Sequence, residues 1–186
     1  MSNAMRAYQE ITLRHSEEIP CNFLWEKLFQ QVHLALVENK TIGRTAAGGS
    51  DPLVAYSEYG VSFPQYCDQL NALGCKLRIF ASGSDKLLRL DLNRWLDGLR
   101  DYCRVSGIEA VPDEVEHVRF KRRQLCTGIE RLARRRAKRK QESYEQALAY
   151  YSGFNSHTTR LPFIYMNSLS GKQRFPLFIE KEVAAH

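Results

Sequence analysis

No run in this chain approaches the roughly 20 consecutive apolar residues that a membrane-crossing helix needs. Nor does a charged-then-apolar leader open it. Membrane insertion and secretion are therefore not expected. Cysteine is sparse and scattered. Cys21, Cys67, Cys75, Cys103 and Cys126 are odd in number and show no C-x-x-C spacing. That argues against a disulfide framework and a structural zinc, and fits reduced thiols in a cytoplasmic protein. Carboxylates, histidines and cysteines do not cluster at ligand spacing, so no metal and no cofactor is expected. Internal repeats are also absent, as is low complexity beyond one basic stretch. What remains is an ordinary soluble composition, 44% hydrophobic and 26% charged over 186 residues, enough for one domain or two small ones. The opening "MSNAM" carries a Ser-Asn-Ala triplet of the kind left by an expression tag before Met5, and is set aside from fold reasoning.

Acid is what one segment lacks. Between Arg119 and Lys140 stand eleven Lys or Arg and a single Glu, while the rest of the chain holds sixteen basic and twenty acidic residues. The net charge of +6 is therefore one positive patch on a mildly acidic protein. A polyanion is the leading physical reason for such a patch.

Apolar spacing divides the chain into elements. Ala7 to Arg14 alternates, with Ile11 and Leu13 inward, and reads as a strand. Asn22 to Asn39 carries Leu24, Leu28, Val32 and Ala35 at helical spacing, with Asn22 as N-cap. Lys40 to Glu58 is polar and glycine-rich, a loop. Tyr59–Tyr66 and Lys76–Ser82 read as strands. Ser84 to Cys103 reads as one helix, capped by Ser84, with Leu87, Leu88, Leu92, Trp95, Leu96 and Leu99 as its stripe. Val115 to Gln124 is extended, alternating at Val118 and Phe120, and is expected to supply the last strand of a strand-helix-strand-strand-helix-strand order. A helix from about Ile129 to Tyr151 follows, then two strands, Leu161–Ser170 and Gln173–Glu182, as a hairpin around Gly171-Lys172. The fold class expected is α+β. A ferredoxin-like (RRM-like) domain over residues 5–112 precedes a region over residues 113–186 with an arginine-rich helix and a terminal β-hairpin.

Placed at about 100° per residue, Ile129, Leu132, Ala133, Ala137, Tyr144 and Ala147 fall on one side of the basic helix. Arg131, Arg134, Arg135, Lys138 and Arg139 fall on the other; Arg136 and Lys140 are out of place. A disordered tail has no reason to sort its residues, and a merely solvated face usually mixes charge signs. Nucleic acid is the natural occupant. Phosphate contacts position without reading sequence. Just upstream, Arg122 and Gln124 are two residues apart on an extended segment and point to one side, where Arg suits guanine and Gln suits adenine.

"GVSFP" (Gly60 to Pro64), "WLDGLRDY" (Trp95 to Tyr102), Arg122-x-Gln124, "ERLARRRAKR" (Glu130 to Arg139) and "LPFIYMNSLSGKQRFPLFI" (Leu161 to Ile179) occur in that order. Together they resemble the CRISPR-associated endoribonucleases of the type I-F (Csy) subtype, which cut precursor CRISPR RNA within each repeat. The resemblance implies an RNA stem-loop as ligand. It assigns Arg134, Arg135, Lys138 and Arg139 to the groove and phosphates, with Lys138 replacing an arginine; Arg119 and Arg131, in the same basic segment, are further RNA-binding candidates. Arg122 and Gln124 become base readers, and Phe175 a stacking ring under the last base pair. It also implies partnership with other subunits of a type I-F surveillance complex.

RNA carries its own nucleophile, so such an enzyme positions a 2′-hydroxyl and removes its proton without needing a metal. The resemblance makes His33 the proton acceptor and Ser168 the holder of the hydroxyl, with Ser170 a second serine of the motif. From spacing alone, His33 is an ordinary histidine beside an apolar stripe and Ser168 an ordinary strand serine. The family's later glycine-rich segment, with an active-site tyrosine, has no counterpart before His186. The alternative expectation is therefore an RNA-hairpin-binding module of the same family with weak or no cleavage.

Overall fold

The computed structural model describes residues 4–43, 54–67, 69–124, 129–152, 159–168, 171 and 173–183. It is a mixed α+β structure built on antiparallel sheets. Strict alternation in β1 (Ala7–Leu13) buries Ala7, Gln9, Ile11 and Leu13 on one face. Gln9 is tolerated there because its Nε2 donates to the Ser106 carbonyl at 2.9 Å. In α1 (Cys21–Glu38) the stripe Leu24, Leu28, Val32 and Ala35 is buried, joined by Trp25 and Glu26. The N-cap is Pro20 rather than Asn22, which lies inside the first turn. Proline has no N–H to leave unpaired and pre-sets φ for helix entry.

The segment read as a loop, 40–58, contains two short strands. β2 (Thr41–Gly43) and β3 (Val54–Tyr56) pair antiparallel as a separate ribbon. Three-residue strands are too short to leave a periodic signal. β4 (Gly60–Ser62) and β5 (Lys76–Ala81) follow, then α2 (Ser84–Leu90), α3 (Leu92–Trp95) and a 3-10 turn at Asp97–Leu99. The single helix expected over Ser84–Cys103 is thus broken. Asp91 takes a left-handed conformation, φ 46°, and its side chain accepts from the Arg94 N–H to start α3. The break rotates the stripe, so Leu90 is buried and Leu88 is exposed. Gly83, not Ser84, is the N-cap of α2.

A strand not expected from the sequence, β6 (Cys103–Ala110), closes the first sheet in the order β4-β5-β1-β6. The segment Val115–Gln124, read as that fourth strand, instead gives β7 (Val118–Arg123) of a second sheet. β6 has weak alternation because it is an edge strand with a register shift against β1 between Gln9 and Ile11. The second sheet runs β7-β9-β8, with β8 (Phe163–Asn167) and β9 (Arg174–Val183) forming the terminal hairpin. Pro176 sits in central β9, yet β7 pairs only from Phe178 onward, so no ladder bond is lost on that side.

One core serves both sheets. Ile11, Leu28, Leu77 and Ile79, fully buried, share a cluster with Ile164, Met166 and Ile179 of the hairpin. Phe63 is the joint, its ring 5.7 Å from Trp25, 6.0 Å from Phe29 and 5.4 Å from Phe120 of β7. The Tyr66 hydroxyl donates to the Ile179 carbonyl at 3.0 Å. A last pair of helices, α4 (Ile129–Lys140) and α5 (Tyr144–Tyr150), replaces the one long helix expected to Tyr151. The chain turns at Gln141, φ 54°, and restarts at a capping box in which Ser143 and Gln146 bond each other's backbone N–H. Among the described residues, no helix is long and apolar enough to cross a membrane.

Candidate nucleic-acid interface

The apolar side of α4 packs chiefly on α5, with Ala133 and Ala147 fully buried between them. Arg131, Arg134, Arg135, Lys138 and Arg139 are all exposed on the outer side. Arg134 meets Glu130 at 3.4 Å, but both are largely solvated, so the pair is worth at most about 1 kcal/mol. Arg131, Arg135, Lys138 and Arg139 have no carboxylate partner among the described residues. Arg136, which fell off the sorted face, has a structural use. Its Nε lies 2.6 Å from the Glu142 carboxylate, and its guanidinium sits 3.6 Å above the Tyr150 ring. Arg136 ties α4 to α5 and leaves the outer stripe of one sign.

On β7, alternation puts Phe120 and Arg122 on one side and Arg119, Lys121 and Arg123 on the other. Phe120 enters the core against Phe63 and Tyr66. Arg122, at the open end, lies 5.4 Å over the half-buried Phe175 ring. Gln124 is exposed just beyond the strand. Arg122 and Phe175 are therefore brought together, with Gln124 beside them. Arg119 is not. It pairs across the ladder with Glu182 on the opposite face, where Lys121 is bound to Glu180 and Glu182.

His33 stands on the exposed side of α1. Partial desolvation, then the nearby Lys40 charge, push its pKa below the ordinary histidine value. The neutral, proton-accepting form therefore dominates at pH 7. Ser168 follows the end of β8. Its N–H donates to the Gln173 carbonyl at 2.8 Å, and its hydroxyl accepts the Gly171 N–H at 3.1 Å. Ser170 lies outside the described residues.

Four residues missed by sequence reasoning join these two regions. Arg174 and Asn167, opposed across the hairpin, both reach the Glu26 carboxylate on α1, at 2.6 and 3.2 Å. The Asn167 N–H donates to Gln30 Oε1 at 3.2 Å. Gln30 is one turn before His33 on α1, and Asn167 immediately precedes Ser168. Burial alone would raise the Glu26 pKa. The Arg174 and Asn167 bonds overcome that and hold its carboxyl below the usual range. The one sequence signal was an acid set within the apolar stripe, between Trp25 and Leu28.

The exposed basic helix α4, the Arg122–Phe175 pair and the hairpin anchored on α1 lie in one polypeptide. The family model described as "CRISPR-associated protein (Cas_Csy4)" matches residues 8–186. The chain belongs to the Csy4 family. It is 36% identical, over 94% of its length and 85% of the relative's, to the "CRISPR-associated endonuclease Cas6/Csy4" of Pseudomonas aeruginosa (strain UCBPP-PA14). Identity to the protein of the same name from Escherichia coli (strain UTI89 / UPEC) is 31% over the same shares.

The Glu26 anchor sets a pH dependence. With a depressed folded pKa, its contribution is complete above about 4.3, the ordinary Glu value, and is lost as pH falls through the lower folded value. Glu26→Gln should lower stability in urea at pH 7 by about 1–3 kcal/mol. The gap between variant and parent should narrow as pH falls below about 4. A gap of constant size down to pH 2 would show that the carboxylate charge does not hold the hairpin.

Proposed function

We propose that the protein is a metal-independent endoribonuclease that binds the stem-loop of a CRISPR repeat and processes precursor CRISPR RNA. It remains on its product as a subunit of a type I-F surveillance complex. The observation that carries this reading is the docking of the hairpin on α1, with Asn167 bonded to Gln30. That contact supports a site shared by His33 and Ser168. Family membership and the names of the two relatives point the same way.

The roles follow from the chemistry. His33, held neutral, takes the proton of the 2′-hydroxyl as that oxygen attacks the adjacent phosphorus. The new P–O bond leaves a 2′,3′-cyclic phosphate as the bond to the 5′-oxygen breaks, and that oxygen is reprotonated from solvent. Ser168, its hydroxyl oriented by Gly171, holds the nucleophile in line. Ser170 belongs to the same motif as a further contact. Arg131, Arg134, Arg135, Lys138 and Arg139 line an arginine-rich helix that grips stem phosphates. An A-form major groove is narrow, but a short hairpin with an open end relaxes that restriction. Arg122 and Gln124 read a G and an A near the stem base, Phe175 stacks below them, and Arg119 contributes charge from the outer face. The strand order β4-β5-β1-β6 with its two helical crossovers supports reading residues 5–112 as a ferredoxin-like unit. Residues 113–186 then form the RNA-gripping part.

Incubation of repeat RNA with the protein in EDTA should give cleavage ending in a 2′,3′-cyclic phosphate, abolished in His33→Ala with RNA binding retained. The rate should fall on acidification only below about pH 6.5, and Lys40→Ala should move that limb upward. Cleavage that needs added metal contradicts the mechanism. Tight binding with intact RNA leaves a hairpin-binding module instead.

Changing Arg134 and Arg135 together to Ala should weaken all RNAs and reduce the salt slope by about 1.5, from roughly 0.7–0.9 per lost phosphate contact. Gln124→Ala should cost about 1–3 kcal/mol against the cognate base only. An unchanged slope, or a uniform loss for Gln124→Ala, would remove these residues from their roles.

A further inference from the structure

A second cationic feature stands outside the proposed RNA grip. A hollow of about 380 Å³ opens where the end of β1, the α3 turn and the start of β6 meet. Arg14, Arg94, Arg100 and Arg104 line it, over a floor that includes the buried Leu96 and the half-buried Val105. Local structure brings them together. The Leu13–Cys103 and Thr12–Arg104 pairing and the 2.8 Å bond from the Arg14 N–H to the Tyr102 carbonyl align Arg14 with Arg104. The Asp91 cap on the Arg94 N–H fixes where Arg94 departs.

Arg100 is paired with Asp97. Arg14, Arg94 and Arg104 have no carboxylate partner among the described residues. Guanidiniums cannot shed their charge, so the four arginines outweigh the two acids of the same wall, Asp91 and Asp97, and leave it net positive. It is set in the part of the chain whose acids outnumber its bases.

Beside the hollow runs an open sheet edge. β6 is the outermost strand of the first sheet and pairs only with β1 among the described residues. At Gly107 an added Cβ would meet nothing within 4 Å. An unpaired strand edge is a template for another extended chain.

We infer that this face is a docking site for an extended acidic segment of another protein, which lays its backbone along β6 and its carboxylates into the arginine-lined hollow. Two features favour a polypeptide over RNA. Asp91 and Asp97 separate the arginines of the wall, which matches carboxylates spaced along an extended peptide better than an uninterrupted run of phosphates. The apolar floor suits aliphatic side chains between carboxylates. Glu109, bonded to Tyr8 near the far end of β6, sets a polarity, with the partner's acids gathered at the Arg104 end. The inference is independent of the RNA reading.

The test uses the full chain and a fluorescein-labelled ten-residue peptide with Glu at alternate positions and Val and Thr between. Anisotropy should show binding, weakened by about tenfold or more in Arg94→Glu/Arg104→Glu, because juxtaposed like charges are strongly disfavoured. The milder Arg94→Gln/Arg104→Gln variant should fall between. The same peptide with Lys for Glu should show the reverse preference, and β6 amides should gain hydrogen-exchange protection in the complex. Repeat-hairpin affinity should stay within about twofold in both variants, which separates this site from the RNA grip. No binding at millimolar peptide would overturn the proposal, as would binding insensitive to charge reversal. Single-stranded RNA that occupies the hollow in the peptide's place would also overturn it, as would self-association through β6 lost in the same variants.

Discussion

The carboxylate of Glu26, nearly buried between α1 and the terminal hairpin, is the contact that fixes the hairpin end against α1. A charge at such a depth is costly unless it is paired and hydrogen-bonded. Here Arg174 and Asn167 answer it from opposite strands of one hairpin. Two elements separated by more than a hundred residues are thereby held in one register. Ile164 and Met166 add the apolar part of the same contact by joining the central core. The polar anchor specifies where the hairpin end sits, and the apolar packing supplies most of the energy.

A division of labour among cations follows the same logic. Arg174 and Arg136 are engaged by carboxylates and by the Tyr165 and Tyr150 rings, so they stabilise the protein itself. Lys121 and Arg123 meet Glu180 across the outer face of the second sheet. Among the described residues, the exposed stripe on α4 meets a carboxylate only at Arg134, through Glu130. Intramolecular pairing is what separates the structural arginines from the exposed ones, and composition cannot reveal it.

Long-period signals were legible in the sequence and short or tertiary ones were not. Alternation at Ile11 and Leu13 marked β1, and the Leu24–Leu28–Val32–Ala35 spacing marked α1, because each buries one whole face. The helix expected through Asp91 failed because a single left-handed residue, unmarked in any periodicity, re-phases the stripe and exposes Leu88. β6 escaped notice as an edge strand with a register shift, and its place was given to Val115–Gln124. The break at Gln141 hid behind continuous helix-forming residues, although Ser143 and Gln146 carried the capping pattern. His33 and Ser168 drew attention only through family likeness. The pair that links their neighbourhoods, Gln30 and Asn167, is 137 residues apart in sequence, and no local pattern reports such a contact.

The central claim is that the Glu26 anchor brings the His33 turn and the Ser168 region into one working site. A double-mutant cycle of Glu26→Gln and Arg174→Gln, read on the single-turnover cleavage rate of saturating repeat RNA, tests it most directly. Each single change should slow cleavage, and the double variant should be little slower than the worse single one. Fully additive losses, or cleavage unaffected by either change, would contradict it.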